Sequence, residues 1–255
     1  MPMDEVLISK AITESYMKDF IDSMVLDAAV VGGGPAGLVA AYHLAKEGVK
    51  VALFERKLSI GGGMWGGGMM FNRIVVQEAG KEILDELDVG CRMYEDGYYI
   101  ADAIEAVSTM TSRAVKAGAR IFNLISVEDI VIRDDDRIHG IVINWSAVEL
   151  SKLHVDPMTV IANTVIDATG HAAEVARIVE RKVGRGAIAV KGEQSMWAEV
   201  GEASVVENTR EIYPGLIVAG MAANAVLGSP RMGPVFGGML LSGKKAAEVV
   251  LARRA

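Results

Sequence analysis

Apolar residues in this chain recur in two rhythms, and their alternation sketches an order of elements. Leu26 to Val31 and Val51 to Phe54 are short, largely apolar runs rich in β-branched and small residues, the pattern of parallel strands covered on both faces. Between them, Leu38 to Ala45 reads as a helix packed on those strands. Ahead of this unit, Val6 to Ser23 reads as an amphipathic helix with Ile8, Ile12 and Met17 available to dock. Ala101 to Gly118 predicts another helix, followed by a strand over Ala119 to Phe122. Val127 to Arg133 and Ile138 to Asn144 read as a hairpin closed by the solvated turn Asp134-Asp135-Asp136-Arg137. Val160 to Ile166 and Leu216 to Gly220 supply further strands, and Gly237 to Ala252 a C-terminal helix with a basic end suited to its dipole.

The turn after the first strand narrows the ligand. Gly32, Gly34 and Gly37 fit G-x-G-x-x-G between a strand and a helix. The first glycine permits the tight turn, the second lets backbone approach a pyrophosphate, and the third lets helix and strand pack closely. Glu55 closes the next strand near the ~20-residue spacing expected of a carboxylate that accepts from ribose hydroxyls. Glutamate there disfavours a 2′-phosphate, so an adenine dinucleotide of the NAD or FAD kind is implied. Gly61 to Phe71 is a glycine-rich loop carrying Trp65, Met69 and Met70, residues suited to lie against a flat ligand rather than to serve as a linker.

Bulk properties remove other classes. At 255 residues, with 51% hydrophobic residues and 28 glycines, the chain can bury a substantial core with many tight turns. A net charge of −7 without a basic block argues against nucleic acid. No run reaches the ~18 apolar residues of a membrane span, and Met1-Pro2-Met3-Asp4-Glu5 lacks the basic start of a signal peptide. The one cysteine, Cys91, excludes an intrachain disulfide and suits a reducing cytoplasm. The expectation is an α/β chain, Rossmann-type and flavoprotein-like, in three layers with an inserted antiparallel sheet. Residues 1–255 form one domain on this reading. About 25–60 make the dinucleotide-binding βαβ unit, about 120–165 the inserted β element, and 215–255 the closing strand and helix.

Four histidines are present. His43 sits within a helix and His139 beside a polar turn, neither suggesting chemistry. His171 immediately follows a strand and the Ala168-Thr169-Gly170 turn, where ligands of open α/β sheets collect. His154-Val155-Asp156-Pro157 is polar and proline-stopped. On spacing alone, His171 with Asp156 suits a divalent ion such as Fe(II), an acid–base pair, or ordinary hydrogen bonding. Arg231, before Met232-Gly233-Pro234, offers a guanidinium for a carboxylate or phosphate, or is a surface arginine beside a turn.

Taken in order, Gly32 to Gly37, Gly61 to Gly68, His154-Val155-Asp156-Pro157, Ala168-Thr169-Gly170-His171 and Arg231 to Gly237 resemble the thiamine thiazole synthases, in particular their archaeal branch, from roughly residue 6 to 250. The resemblance implies that NAD is a substrate. Nicotinamide is released, the ADP-ribose condenses with glycine, and sulfur addition and cyclisation give an ADP-thiazole carboxylate. It assigns Gly34, Ala36, Gly37, Glu55, Arg56, Gly63, Val127 and Met221 to the nucleotide and Arg231 to the glycine carboxylate. His154, Asp156 and His171 become catalytic positions, with Asp156 and His171 as Fe(II) ligands. Relatives that donate their own sulfur carry a cysteine where this chain has His154, so external sulfide and multiple turnover are implied here. The Asp156 loop is expected from a neighbouring subunit, in a homo-oligomer, an octamer. Competing readings are a flavin oxidoreductase, disfavoured because Met221 rather than Asp follows Gly220, and a ribose 1,5-bisphosphate isomerase or NAD sensor. The isomerase has little use for Glu55, and the sensor leaves the downstream set unexplained.

Overall fold

Strands that are apolar on both faces need cover on both, and this requirement builds the molecule around one sheet. The computed structural model describes residues 3–183 and 186–254. Helix α1 (Glu5–Asp22) is capped by Asp4, whose carboxylate accepts from the Val6 and Leu7 amides. Then come β1 (Val25–Val31), α2 (Pro35–Lys46) and β2 (Val51–Glu55), with β1 and β2 parallel and Val30 opposite Leu53. Helix α2 begins earlier than its apolar pattern predicts because Pro35, with φ preset for the first turn, follows directly on Gly34.

The next segment holds β3 (Arg73–Val76), α3 (Glu78–Glu86), β4 (Cys91–Glu95) and β5 (Tyr98–Asp102). The strands form a separate antiparallel sheet in the order β3-β5-β4. The helix expected from Ala101 starts at Ala103, since Ala101 and Asp102 belong to β5. This helix, α4 (Ala103–Ala117), is capped by the Asp102 carboxylate and leads to β6 (Arg120–Asn123). The predicted hairpin is β7 (Ile125–Ile132) and β8 (Ile138–Trp145), antiparallel. Short α5 (Ser146–Leu150) and long β9 (Met158–Asp167) follow. The remainder is α6 (Glu174–Val183), α7 (Ala198–Asn208), β10 (Arg210–Tyr213), β11 (Leu216–Val218), α8 (Met221–Leu227) and α9 (Gly237–Leu251). Arg253 and Arg254 lie beyond the end of α9 and pair with Glu211 and Asp27 rather than capping the helix.

The main sheet runs β10-β11-β9-β1-β2-β6, with the hairpin joined through β8 to the early half of β9. Side chains alternate across each strand. Ala28, Val30, Val51 and Leu53 pack with Leu38, Val107 and Leu240 from α2, α4 and α9. Ala29, Val31, Ala52 and Phe54 face Ile130, Ile141 and Ile178 from the hairpin and α6. This is the expected α/β, three-layer arrangement. Helix α1 docks differently from its pattern: Ile8, Ile12 and Met17 are exposed, and its one buried residue is Phe20, packed beside Tyr16 and Phe122. Among the described residues no helix is long and apolar enough to cross a membrane.

Candidate functional site

Four strand ends converge on one cavity of about 520 Å³, lined by the segments following β1, β2, β9 and β11 together with the glycine-rich loop. Crevices at strand carboxyl ends are where open α/β sheets bind ligands. The three motif glycines meet different surroundings. Gly32 has φ +101°, and a Cβ there would lie 2.5 Å from the Ala168 carbonyl oxygen. A Cβ on Gly37 would lie 2.0 Å from the Gly32 oxygen, while one on Gly34 would meet no atom of the described residues within 4 Å. Gly37 therefore serves helix–strand packing, and Gly34 borders open cavity.

Glu55 is buried, and backbone fixes both of its oxygens. Oε2 accepts from the Gly33 amide at 2.8 Å and Oε1 from the Lys57 amide at 2.8 Å. A carboxylate oxygen has further lone pairs, so these bonds aim the group without exhausting it. Beside it, Arg56 pairs with Glu174 on α6. Burial pushes the Glu174 carboxyl above its ordinary value, against the pull of Arg56. The glycine-rich segment is a short 3₁₀ helix, Gly62–Gly66, where its glycine density predicts a loop. Its entry is pinned by Gly61 donating to the Gly33 carbonyl at 2.7 Å. This contact brings Gly62 and Gly63 to the cavity wall.

The turn after β9 is organised by buried Asp167. Its carboxylate accepts from the Thr169 amide at 3.0 Å, the Thr169 hydroxyl at 2.6 Å and the Ala176 amide at 2.9 Å. Complete burial raises its proton affinity against those bonds. The turn presents His171 to the cavity with its side chain about half exposed. His171 Nδ1 lies 2.6 Å from Glu193 Oε1, and Arg231 Nε lies 3.6 Å from Glu193 Oε2.

Of the residues singled out by sequence, Gly34, Ala36, Glu55, Arg56, Gly63, Val127, His171, Met221 and Arg231 line this cavity. Gly37 does not, being spent on packing. His154 and Asp156 do not line it either and are exposed in the loop before β9. Among the described residues no group of three or more His, Cys, Asp or Glu could hold a metal. One chain thus offers His171 alone of the expected metal pair. An imidazole with its Nδ1 already engaged keeps Nε2 for a divalent ion, so this residue fits one position of such a site. Glu174 and Glu193 are the acidic residues that sequence reasoning missed. Glu193 stands outside every regular element, so no periodicity marks it, and only its neighbours in space give it meaning.

The Thi4 family model matches residues 9–236. The chain belongs to the Thi4 family. A thiamine thiazole synthase of Methanothermobacter thermautotrophicus is 60% identical over 255 residues, covering 98% of both chains. One from Pyrococcus furiosus is 59% identical over 250 residues, again covering 98% of each. The crystal structure of Thermovibrio ammonificans THI4 superposes with a TM-score of 0.97 at 54% identity, covering 100% of this chain and 99% of that one. The described residues therefore share the fold of that Thi4 structure, built on a mixed sheet whose central strands are parallel.

Proposed function

We propose that this Thi4 family member is a thiamine thiazole synthase that consumes NAD and glycine and takes its sulfur from external sulfide. The observation that carries the reading is the joining, in one cavity, of a nucleotide-holding end (Gly34, Ala36, Glu55) to a reactive end (His171, Arg231). At the first end, unpaired amides at the start of α2 suit a pyrophosphate, and Glu55 suits the ribose hydroxyls. At the second, Arg231 suits the glycine carboxylate through a two-point guanidinium contact. Such a grip holds the ADP-ribose while nicotinamide leaves, the ring opens, and the exposed carbonyl condenses with the glycine amine. Sulfide addition and loss of water then close the thiazole as its ADP carboxylate.

His171 of one chain and Asp156 of a neighbouring copy would hold Fe(II), which when bound supplies Lewis acidity and a docking point for sulfide. The exposure of the Asp156 loop supports donation to another copy of a homo-oligomer, an octamer on this reading. His154 has no sulfur to give, so each chain turns over repeatedly. The test is anaerobic incubation with NAD, glycine, Fe(II) and sulfide, with released nicotinamide and the ADP-thiazole measured by mass spectrometry. More than one product per chain, and none without sulfide, is the expected result. Repeated product formation with no sulfur source, or flavin released from the denatured protein, overturns the proposal.

A further inference from the structure

Glu193 lies on an extended strap that is stitched to the segment bearing Arg231. The Lys191 amide donates to Val226, Gly192 to Ala225 at 2.9 Å, and Gln194 to Ser229 at 3.1 Å. The Gln194 side chain donates to the Gly228 carbonyl at 2.6 Å, and the Trp197 amide to the Arg231 carbonyl at 3.0 Å. Glu193 is thus held by backbone bonds on both sides. Its side chain is 13% exposed, whereas those of His171 and Arg231 are 55% and 58% exposed. The inner, fixed group is the carboxylate, and the two outer groups rest on it.

We infer that Glu193 is a positioning residue that sets the working orientation of both His171 and Arg231. The inference rests on the proposed roles of those two residues. With Nδ1 bound to Glu193 Oε1, His171 has only Nε2 left for a ligand in the cavity, the arrangement by which carboxylates orient metal-binding imidazoles. Oε2 lies beside the Arg231 Nε, an approach that leaves the two terminal amino groups for a substrate carboxylate. One side chain therefore couples the metal end and the amino-acid end of the site. A surface ion pair with no such role would bear only on stability.

The two contacts can be separated by substitution. In Glu193→Gln the amide oxygen still accepts from His171 Nδ1, but the charge facing Arg231 is gone; Glu193→Ala removes both. Anaerobic Fe(II) titration of the intact oligomer and steady-state kinetics for each substrate provide the readouts. We expect E193A to bind Fe(II) about 10–100-fold more weakly, and E193Q within about threefold of wild type. Both variants should raise the glycine KM about two- to fivefold, leaving the NAD KM unchanged. Unchanged Fe(II) affinity in E193A, beside its loss in H171A, overturns the inference alone. Fe(II) binding by H171A at the wild-type level overturns the metal reading and the inference with it. A glycine KM unmoved in both variants also overturns the shared role.

Discussion

Gly34 and Gly37 belong to the same motif, yet the structure gives them opposite consequences on substitution. A methyl at Gly37 would sit 2.0 Å from the Gly32 carbonyl oxygen, 3.2 Å from its carbon and 3.3 Å from Val30 Cγ1. Two of those atoms are backbone, so relief requires α2 to move away from the β1 turn by more than an ångström. Overpacking of this kind costs roughly 1–3 kcal/mol, which lowers the melting temperature by about 3–10 °C in a chain of this size. Gly34 has φ −74° and ψ −179°, an extended conformation open to any residue. Alanine there forfeits a preferred helix-cap residue but narrows the unfolded ensemble, two effects of about 0.5–1 kcal/mol and opposite sign.

Gly34→Ala therefore melts with the wild type. Its methyl, however, projects toward the cavity where the pyrophosphate would meet the amides of α2. Loss of one charge-assisted bond of about 1.5–3 kcal/mol weakens binding about 10–150-fold. Differential scanning fluorimetry and titration with NAD or ADP-ribose separate the two variants. The reasoning is refuted if Gly34→Ala binds the nucleotide within twofold of wild type, or if Gly37→Ala melts unchanged.

Three further outcomes are expected. His171→Ala and Asp156→Ala should each abolish Fe(II)-dependent product, but co-assembled in equal amounts they should regain about one quarter of wild-type activity. Random pairing gives that share of sites both native ligands; no recovery counts against donation between copies. Phe20→Ala removes the one buried anchor of α1 and should cost about 3–5 kcal/mol, read as a lowered urea midpoint. Burial holds His43 below the ordinary histidine value, against the attraction of Glu86 and Glu248 and with the repulsion of Lys244 and Lys46. Its Nε2 is buried without a partner among the described residues. The unfolded chain thus binds the proton more tightly, so stability is full above the ordinary histidine pKa and is lost as pH falls below it. A His43→Leu variant should show a flatter dependence of melting temperature between about pH 7 and 5; an unchanged slope refutes the assignment.

The βαβ unit, the hairpin and the closing helix were legible because each carries a local signal: apolar runs, turn residues and a glycine motif. The β3-β5-β4 sheet was not. Its strands span only four or five residues, and β4 is almost wholly solvent-facing, so no alternation marks it. Helix α8 escaped for the converse reason, since nearly every residue is buried and no polar face sets a period. Helix α6 does carry a helical stripe at Val175, Ile178 and Val179, a signal present in the chain although no helix is assigned there from pattern alone. Tyr16 and Phe122 chose Phe20 as the anchor of α1 over three equally apolar positions.

The sequence by itself determined the glycine-motif turn after β1, the acidic residue that closes β2, and the residue types able to carry chemistry at positions 171 and 231. Those depend on backbone freedom and functional groups, which are properties of the residues themselves. Tertiary structure decided which of them share a cavity. It brought His171 and Arg231 onto a common carboxylate, Glu193, from positions 22 and 38 residues away from it along the chain. It left His154 and Asp156 on an exposed loop outside the cavity. The physical reason is that a carboxylate's role is set by what lies within about 3–4 Å of it, and sequence separation says nothing about that distance.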